Sequence, residues 1–167
     1  MDEQIREVKY TPEEAEKVLQ GLVGSWEGTN TTWFQPGSPP DTSPVRGAIR
    51  PLPGSRFVIH EYQSSVGGEP FQGVVLYGFN TFKGAFEAAW ADSFHMNSNI
   101  MFSTGPGLES GFSVLGSYLF DPQQPAWGWR VQVQRVGEQN LTITAYNITP
   151  DGEAFRAIET AYRRASG

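Results

Sequence analysis

The residues able to do chemistry are few. They are two histidines, His60 and His95, and the carboxylates near them in the chain. Glu61 adjoins His60, and Asp92 precedes His95 by three positions. Imidazole with carboxylate suits zinc or iron. The same spacings arise freely on strands, however, and the helical two-histidine spacing of zinc hydrolases is absent. No cysteine occurs, which removes thiolate sites, iron–sulfur clusters, disulfides and a cysteine nucleophile. No metal and no other cofactor is expected. Ser25, Ser93 and Ser98 lack the strand–turn–helix setting of a nucleophilic serine. No phosphate-binding glycine loop stands between a strand and a helix.

Glu61 and Asp92 pose the sharper question. Glu61 alternates with Phe57 and Ile59, and Asp92 with Phe86, Ala88 and Trp90. If those apolar faces are inner faces, both carboxylates point inward. A buried carboxylate needs a partner. Arg56, Arg130 or Arg164 could supply a structural ion pair. The two carboxylates could instead be polar anchors in an apolar pocket. They could also share acid–base work with His95. Tyr77 and Trp90 read as pocket-wall residues beside them.

Such groups need elements to hold them, and composition narrows the choice. Nineteen Gly and 12 Pro, with 11 Phe, 6 Tyr and 5 Trp, suit short strands joined by tight turns. Only 18% of residues are charged, which argues against a helix bundle, and 38% hydrophobic content argues against disorder. A net charge of −6 disfavours nucleic acid or anionic lipid as partner. The start, MDEQIREVKY, is acidic and lacks the apolar run of a signal peptide. No apolar stretch approaches the ~18 residues of a membrane helix. A soluble cytoplasmic protein is expected, with no membrane partner.

Residues 1–10 read as a flexible N-terminus, and residues 11–167 as a single domain. Thr11-Pro12-Glu13-Glu14 starts a helix over 11–22, with Ala15, Val18, Leu19 and Leu22 as one apolar stripe. From Trp26 the period changes to two. Strands are predicted over 26–34, 56–64, 71–79, 85–93, 94–101, 112–120, 129–136, 141–148 and 154–163. Residues 35–44 hold four prolines and read as a loop. Nine or ten sequential strands without intervening helices point to an antiparallel meander. Closing into a barrel removes its edges and leaves room for one small ligand.

Gly24-Ser25-Trp26 opens the first long strand behind a short helix, and Glu159-Thr160-Ala161-Tyr162-Arg163-Arg164 ends the last one. Both features resemble lipocalin-like (calycin) barrels. There the resemblance implies an arginine, Arg164 or its neighbour Arg163, stacked on Trp26 to close the structure. More specifically, LVGSWEG (22–28), GSRFVIHEY (54–62), EPFQG (69–73), YGFN (77–80), WADS (90–93), WRV (129–131), PDGEAF (150–155) and ETAYRR (159–164) resemble, in order, the family called domain of unknown function 1579. That family's fold looks like the fatty-acid-binding-protein and nitrobindin barrels, and the resemblance implies no catalytic set.

The expectation is a mainly β, antiparallel, lipocalin-like barrel with one N-terminal helix. It would bind a small apolar ligand at Glu61, Tyr77, Trp90, Asp92 and His95. With only Lys9, Lys17 and Lys83 available and none on an inner face, neutral or cationic ligands are expected over fatty acids. Two other readings are an isomerase- or hydrolase-type enzyme using Glu61, Asp92 and His95, and a ligand-free module that forms homodimers.

Overall fold

Thr11 begins the one helix among the described residues. Its hydroxyl accepts from the Glu14 N–H at 3.2 Å, and the Glu14 carboxylate accepts from the Thr11 N–H at 2.8 Å. This reciprocal cap satisfies two donors that a helix start leaves open. Pro12 follows where a missing N–H does no harm. The computed structural model describes residues 5–96 and 98–166. In it α1 runs Pro12–Gln20 and turns Ala15 and Leu19, followed by Leu22, into the protein.

Twelve strands complete the chain. They are β1 (Glu7–Val8), β2 (Gly24–Thr32), β3 (Asp41–Pro51), β4 (Val58–Val66), β5 (Glu69–Asn80), β6 (Ala85–Asp92), β7 (Met101–Gly105), β8 (Gly107–Leu108), β9 (Gly111–Tyr118), β10 (Trp127–Val136), β11 (Asn140–Ile148) and β12 (Ala154–Arg164). Neighbours pair antiparallel in the order β9-β10-β11-β12-β2-β3-β4-β5-β6-β7, and β7 returns to β9 at Thr104 and Leu115. The result is a closed ten-strand barrel. β1 and β8 form a small flap on β9.

The α1 segment helps to seal one end of the barrel. At the sealed end Leu19 and Leu22 from the α1 segment join Trp26, Ile49, Val58, Phe86 and Phe112 in one buried cluster. Phe86 on β6 and Phe112 on β9, two strands apart, stack there at 4.5 Å. Arg164 lies over the Trp26 ring at 4.4 Å, and β12 brings the two into register. Its guanidinium also donates to the carbonyls of Val23, Gly21 and Glu138 at 2.8, 3.1 and 2.7 Å. The Trp26 indole N–H donates to the Leu22 carbonyl at 2.9 Å. Helix exit, first long strand and last strand are thus tied at one point. Arg163, one residue earlier, faces solvent.

Several expectations change. Residues 7–8 form β1, and the Tyr10 hydroxyl donates to the Leu108 carbonyl at 2.5 Å, so residues 7–10 are part of the fold. Residues 1–4 lie outside the described residues. The proline-rich loop ends at Pro40, because Pro44 sits within β3. Pairing of β3 with β4 spans only Arg46 to Pro51, so Pro44 lies beyond that ladder, and the Ser64 hydroxyl donates to its carbonyl at 2.9 Å. That position tolerates a residue with no N–H to give. Residues 93–96 form a turn where a strand was expected, for a reason given below.

Trp26 is 1% exposed and carries both the stacked arginine and the indole hydrogen bond. Replacing it with alanine is expected to destabilise the protein by roughly 3–5 kcal/mol, as for other buried aromatic truncations. A chemical denaturation midpoint equal to that of the wild type would contradict the closure described here.

Candidate functional site

Alternation decides which side chains enter the barrel. On β4 the inward residues are Val58, His60, Tyr62 and Ser64. Glu61 therefore points outward, against expectation. It pairs with Arg50 at 3.1 Å, with both side chains about half exposed. The reason is that both faces of β4 carry apolar residues. Phe57 and Ile59 lie on the outer face, where Phe57 covers the bare backbone of Gly78. On β5 and β6 the inward residues include Tyr77, Trp90 and Asp92, and on β10 they include Trp129 and Val131. Arg130 faces the other way, over the Tyr146 ring at 4.8 Å.

The other half of the barrel holds two adjoining chambers. The inner one has a volume of about 90 Å³. Val45, Val75, Val114, Val131 and Ile143 make its apolar wall, and Tyr77, His60 and Tyr162 lie toward its floor. The outer one, about 270 Å³, is a vestibule with Trp33, Phe34, Phe94, Tyr118 and Phe120 around it. Trp90, Trp129, His95 and Ile158 line both. The two indoles stack at 5.6 Å and 10° between the chambers. Neither chamber has an Asp, Glu, Lys or Arg in its lining.

One carboxylate stands just behind that wall. Asp92 ends β6 with no side-chain exposure, and no lysine or arginine forms an ion pair with it among the described residues. Its Oδ1 accepts the backbone N–H groups of Phe94, His95 and Met96 at 3.2, 2.5 and 2.9 Å. This is why residues 93–96 turn instead of extending. Its Oδ2 accepts from His95 Nδ1 at 2.5 Å and, at 3.5 Å, from the Tyr62 hydroxyl. That hydroxyl in turn accepts the Trp90 indole N–H at 2.7 Å. Burial pushes the Asp92 carboxyl up, but the His95 ring and the turn N–H groups outweigh it and hold the carboxyl below its usual value. Asp92 is accordingly an ionised acceptor, and Tyr62 beside it is pushed well up by burial and by that negative charge.

Two glycines make these contacts possible. Gly73 on β5 lies in register between Tyr62 on β4 and Asp92 on β6. A Cβ there would collide with the Tyr62 phenol and the Asp92 Cβ. Gly47 on β3 plays the same part where Tyr162 and His60 meet. The His60 Nε2 and the Tyr162 hydroxyl are 3.1 Å apart, and His60 Nδ1 is buried with no protein partner. Burial lowers the His60 pKa to about 4, so this ring is neutral at pH 7.

Of the residues singled out by sequence, Tyr77, Trp90 and His95 line the inner chamber, with Asp92 behind His95. Glu61 is outside, and Trp26 with Arg164 belongs to the sealed end. Sequence reasoning missed Tyr62, Trp129 and Tyr162 as lining residues. The available signal was that each lies on a strand next to small or β-branched residues on the same face. Among the described residues no three His, Cys, Asp or Glu side chains gather as a metal-binding group. None of the described helices is long and apolar enough to cross a membrane.

Fold and site together define a closed antiparallel β-barrel with an internal cavity whose lining holds no Asp, Glu, Lys or Arg. The chain belongs to the family described as "Protein of unknown function (DUF1579)", whose model matches residues 11–164. Among solved structures it is similar to Rv2717c from M. tuberculosis. The two share 14% identity with a TM-score of 0.63, over 91% of this chain and 98% of that one. At that identity the likeness concerns the fold alone. A search of curated proteins gave no match.

The neutral, buried His60 has a measurable consequence. Its pKa is lowered from 6.5 to about 4, so between these values the unfolded chain binds a proton that the folded protein refuses. Its contribution is present above pH 6.5 and is lost as pH falls toward 4, at about 1.4 kcal/mol per unit. Urea unfolding at pH 7, 5.5 and 4.5 is expected to show a steeper acid loss in the wild type than in His60→Gln. Parallel curves for the two proteins would contradict a neutral, buried His60.

Proposed function

We propose that this protein binds a small, largely apolar molecule inside the barrel, as lipocalin-like proteins do. The observation that carries the reading is the pair of adjoining chambers, largely apolar and aromatic, that share part of their lining and have no carboxylate, lysine or arginine in their walls. A cavity of this kind takes up apolar surface, while a few fixed polar groups orient the guest. The two-carboxylate enzyme reading loses its geometry with Glu61 outside the barrel.

The same walls set the charge of the guest. A fatty-acid carboxylate would meet no lysine or arginine in either chamber. It would also sit near the ionised Asp92, which stands behind His95. In a site of low dielectric that proximity is unfavourable. Neutral or cationic apolar ligands are the better fit.

Native mass spectrometry of protein purified without denaturation tests the reading, and a co-purified small molecule is the expected result. Calorimetric titration with 1-decanol, decylamine and decanoate at neutral pH tests the charge preference. The alcohol and the amine are expected to bind about tenfold tighter than the acid, or ~1.4 kcal/mol. Tighter binding of decanoate would contradict the assignment of an acid-excluding pocket.

A further inference from the structure

The wall shared by the two chambers contains one polar atom whose chemistry the structure dictates. Asp92 is ionised and can only accept hydrogen bonds. Its Oδ2 lies 2.5 Å from His95 Nδ1, so that nitrogen carries the proton. In the neutral ring Nε2 then bears a bare lone pair. The ring lines both chambers and is held by aromatic neighbours. Phe71 and Phe94 meet it edge-on at 5.6 and 4.7 Å, and Trp90 and Trp129 lie at 5.6 and 6.4 Å. The side chain keeps 18% of its surface exposed, so it is reachable from the vestibule.

We propose that His95 Nε2 is the ligand's polar anchor, and that it selects neutral molecules carrying a hydroxyl or N–H donor on an aromatic or aliphatic body. This rests on the barrel-binding reading and deepens it. Asp92 is the positioning residue, acting through His95 by fixing which nitrogen holds the proton. An ether or ketone oxygen placed at Nε2 would bring two lone pairs together, so such molecules are disfavoured. A hydroxyl at the same place donates into the lone pair and leaves its carbon skeleton against Trp90 and Trp129. Three other polar side chains near the chambers are already engaged, whereas His60 Nδ1, in the lining of the inner chamber alone, has no protein partner. Tyr62 takes the Trp90 N–H, Tyr118 donates to Asn147 Oδ1 at 2.5 Å, and Thr160 donates to Asn30 Oδ1 at 2.9 Å.

The isosteric variant Asp92→Asn makes the proposal falsifiable. The turn N–H groups of Phe94, His95 and Met96 require an oxygen at the Oδ1 position, and the Asn carbonyl keeps them satisfied. The amide NH₂ must then face His95 Nδ1 and donate to it. That drives the ring proton to Nε2, which changes from acceptor to donor.

The experiment is calorimetric titration of 2-naphthol and 2-methoxynaphthalene against wild type, Asp92→Asn and His95→Phe at pH 8. The naphthol-to-ether affinity ratio is expected to be at least fivefold higher in the wild type than in His95→Phe, the worth of one hydrogen bond near 1 kcal/mol. In Asp92→Asn the ether is expected to gain fivefold or more over its wild-type affinity while naphthol changes little. Structural damage does not produce a selective gain of that kind. If both probes bind but the ratio is the same in all three proteins, the anchor is wrong and barrel binding stands. If neither probe binds the wild type, the barrel reading fails and the anchor with it.

Discussion

A buried carboxylate with no lysine or arginine beside it has to be satisfied by geometry, and Asp92 shows how much geometry that takes. Three consecutive backbone N–H groups converge on one oxygen, and an imidazole and a phenol share the other. The first requirement bends the chain after β6 into a turn. The second places His95 at the wall between the chambers. The phenol arrives only because Gly73 leaves its path open across β5. Truncating the side chain would loosen turn, imidazole and phenol together, because each is oriented by the same group.

The rest of the barrel keeps this arrangement dry on one side and accessible on the other. Packing is concentrated at the sealed end, where the α1 segment, Trp26 and the Phe86–Phe112 stack fill the interior. Arg164 locks that end by stacking on Trp26 while its donors reach carbonyls on either side of the strand opening. With stability supplied there, the other half can leave space unfilled. Empty volume beside well-packed walls is unfavourable for stability, which is the usual mark of a cavity kept for a guest.

Sequence patterns were informative in proportion to the contrast between strand faces. On β6 Phe86, Ala88, Trp90 and Asp92 oppose smaller or charged neighbours, and on β10 Trp129, Val131 and Val133 oppose Arg130, Gln132 and Gln134. Both inner faces were readable. At the start of β4 Phe57, just before the strand, and Ile59 oppose Val58, His60 and Tyr62, so periodicity favoured neither face, and Glu61 went to the wrong side. Pro44 hid β3, because a proline is compatible with a strand only where the neighbouring ladder has stopped, and pairing is not visible in one sequence. The turn after Asp92 needed the knowledge that its carboxylate is buried. Gly47 and Gly73 looked like ordinary strand glycines, and their role depends on tyrosines two strands away. The helix was clear by contrast, since the Thr11–Glu14 cap and the stripe that follows are local.

The proton on His95 tests the account most directly, because the polar anchor assigned to the site follows from Asp92 fixing it. With only two histidines in the chain, the imidazole ¹⁵N signals of His95 can be assigned by comparison with His60→Gln. At a pH where the ring is neutral, the account predicts a protonated Nδ1 and a bare Nε2, with the Nε2 signal moving when a hydroxyl-bearing ligand is added. A His95 ring protonated at Nε2, or an Nε2 signal indifferent to such a ligand, would contradict it.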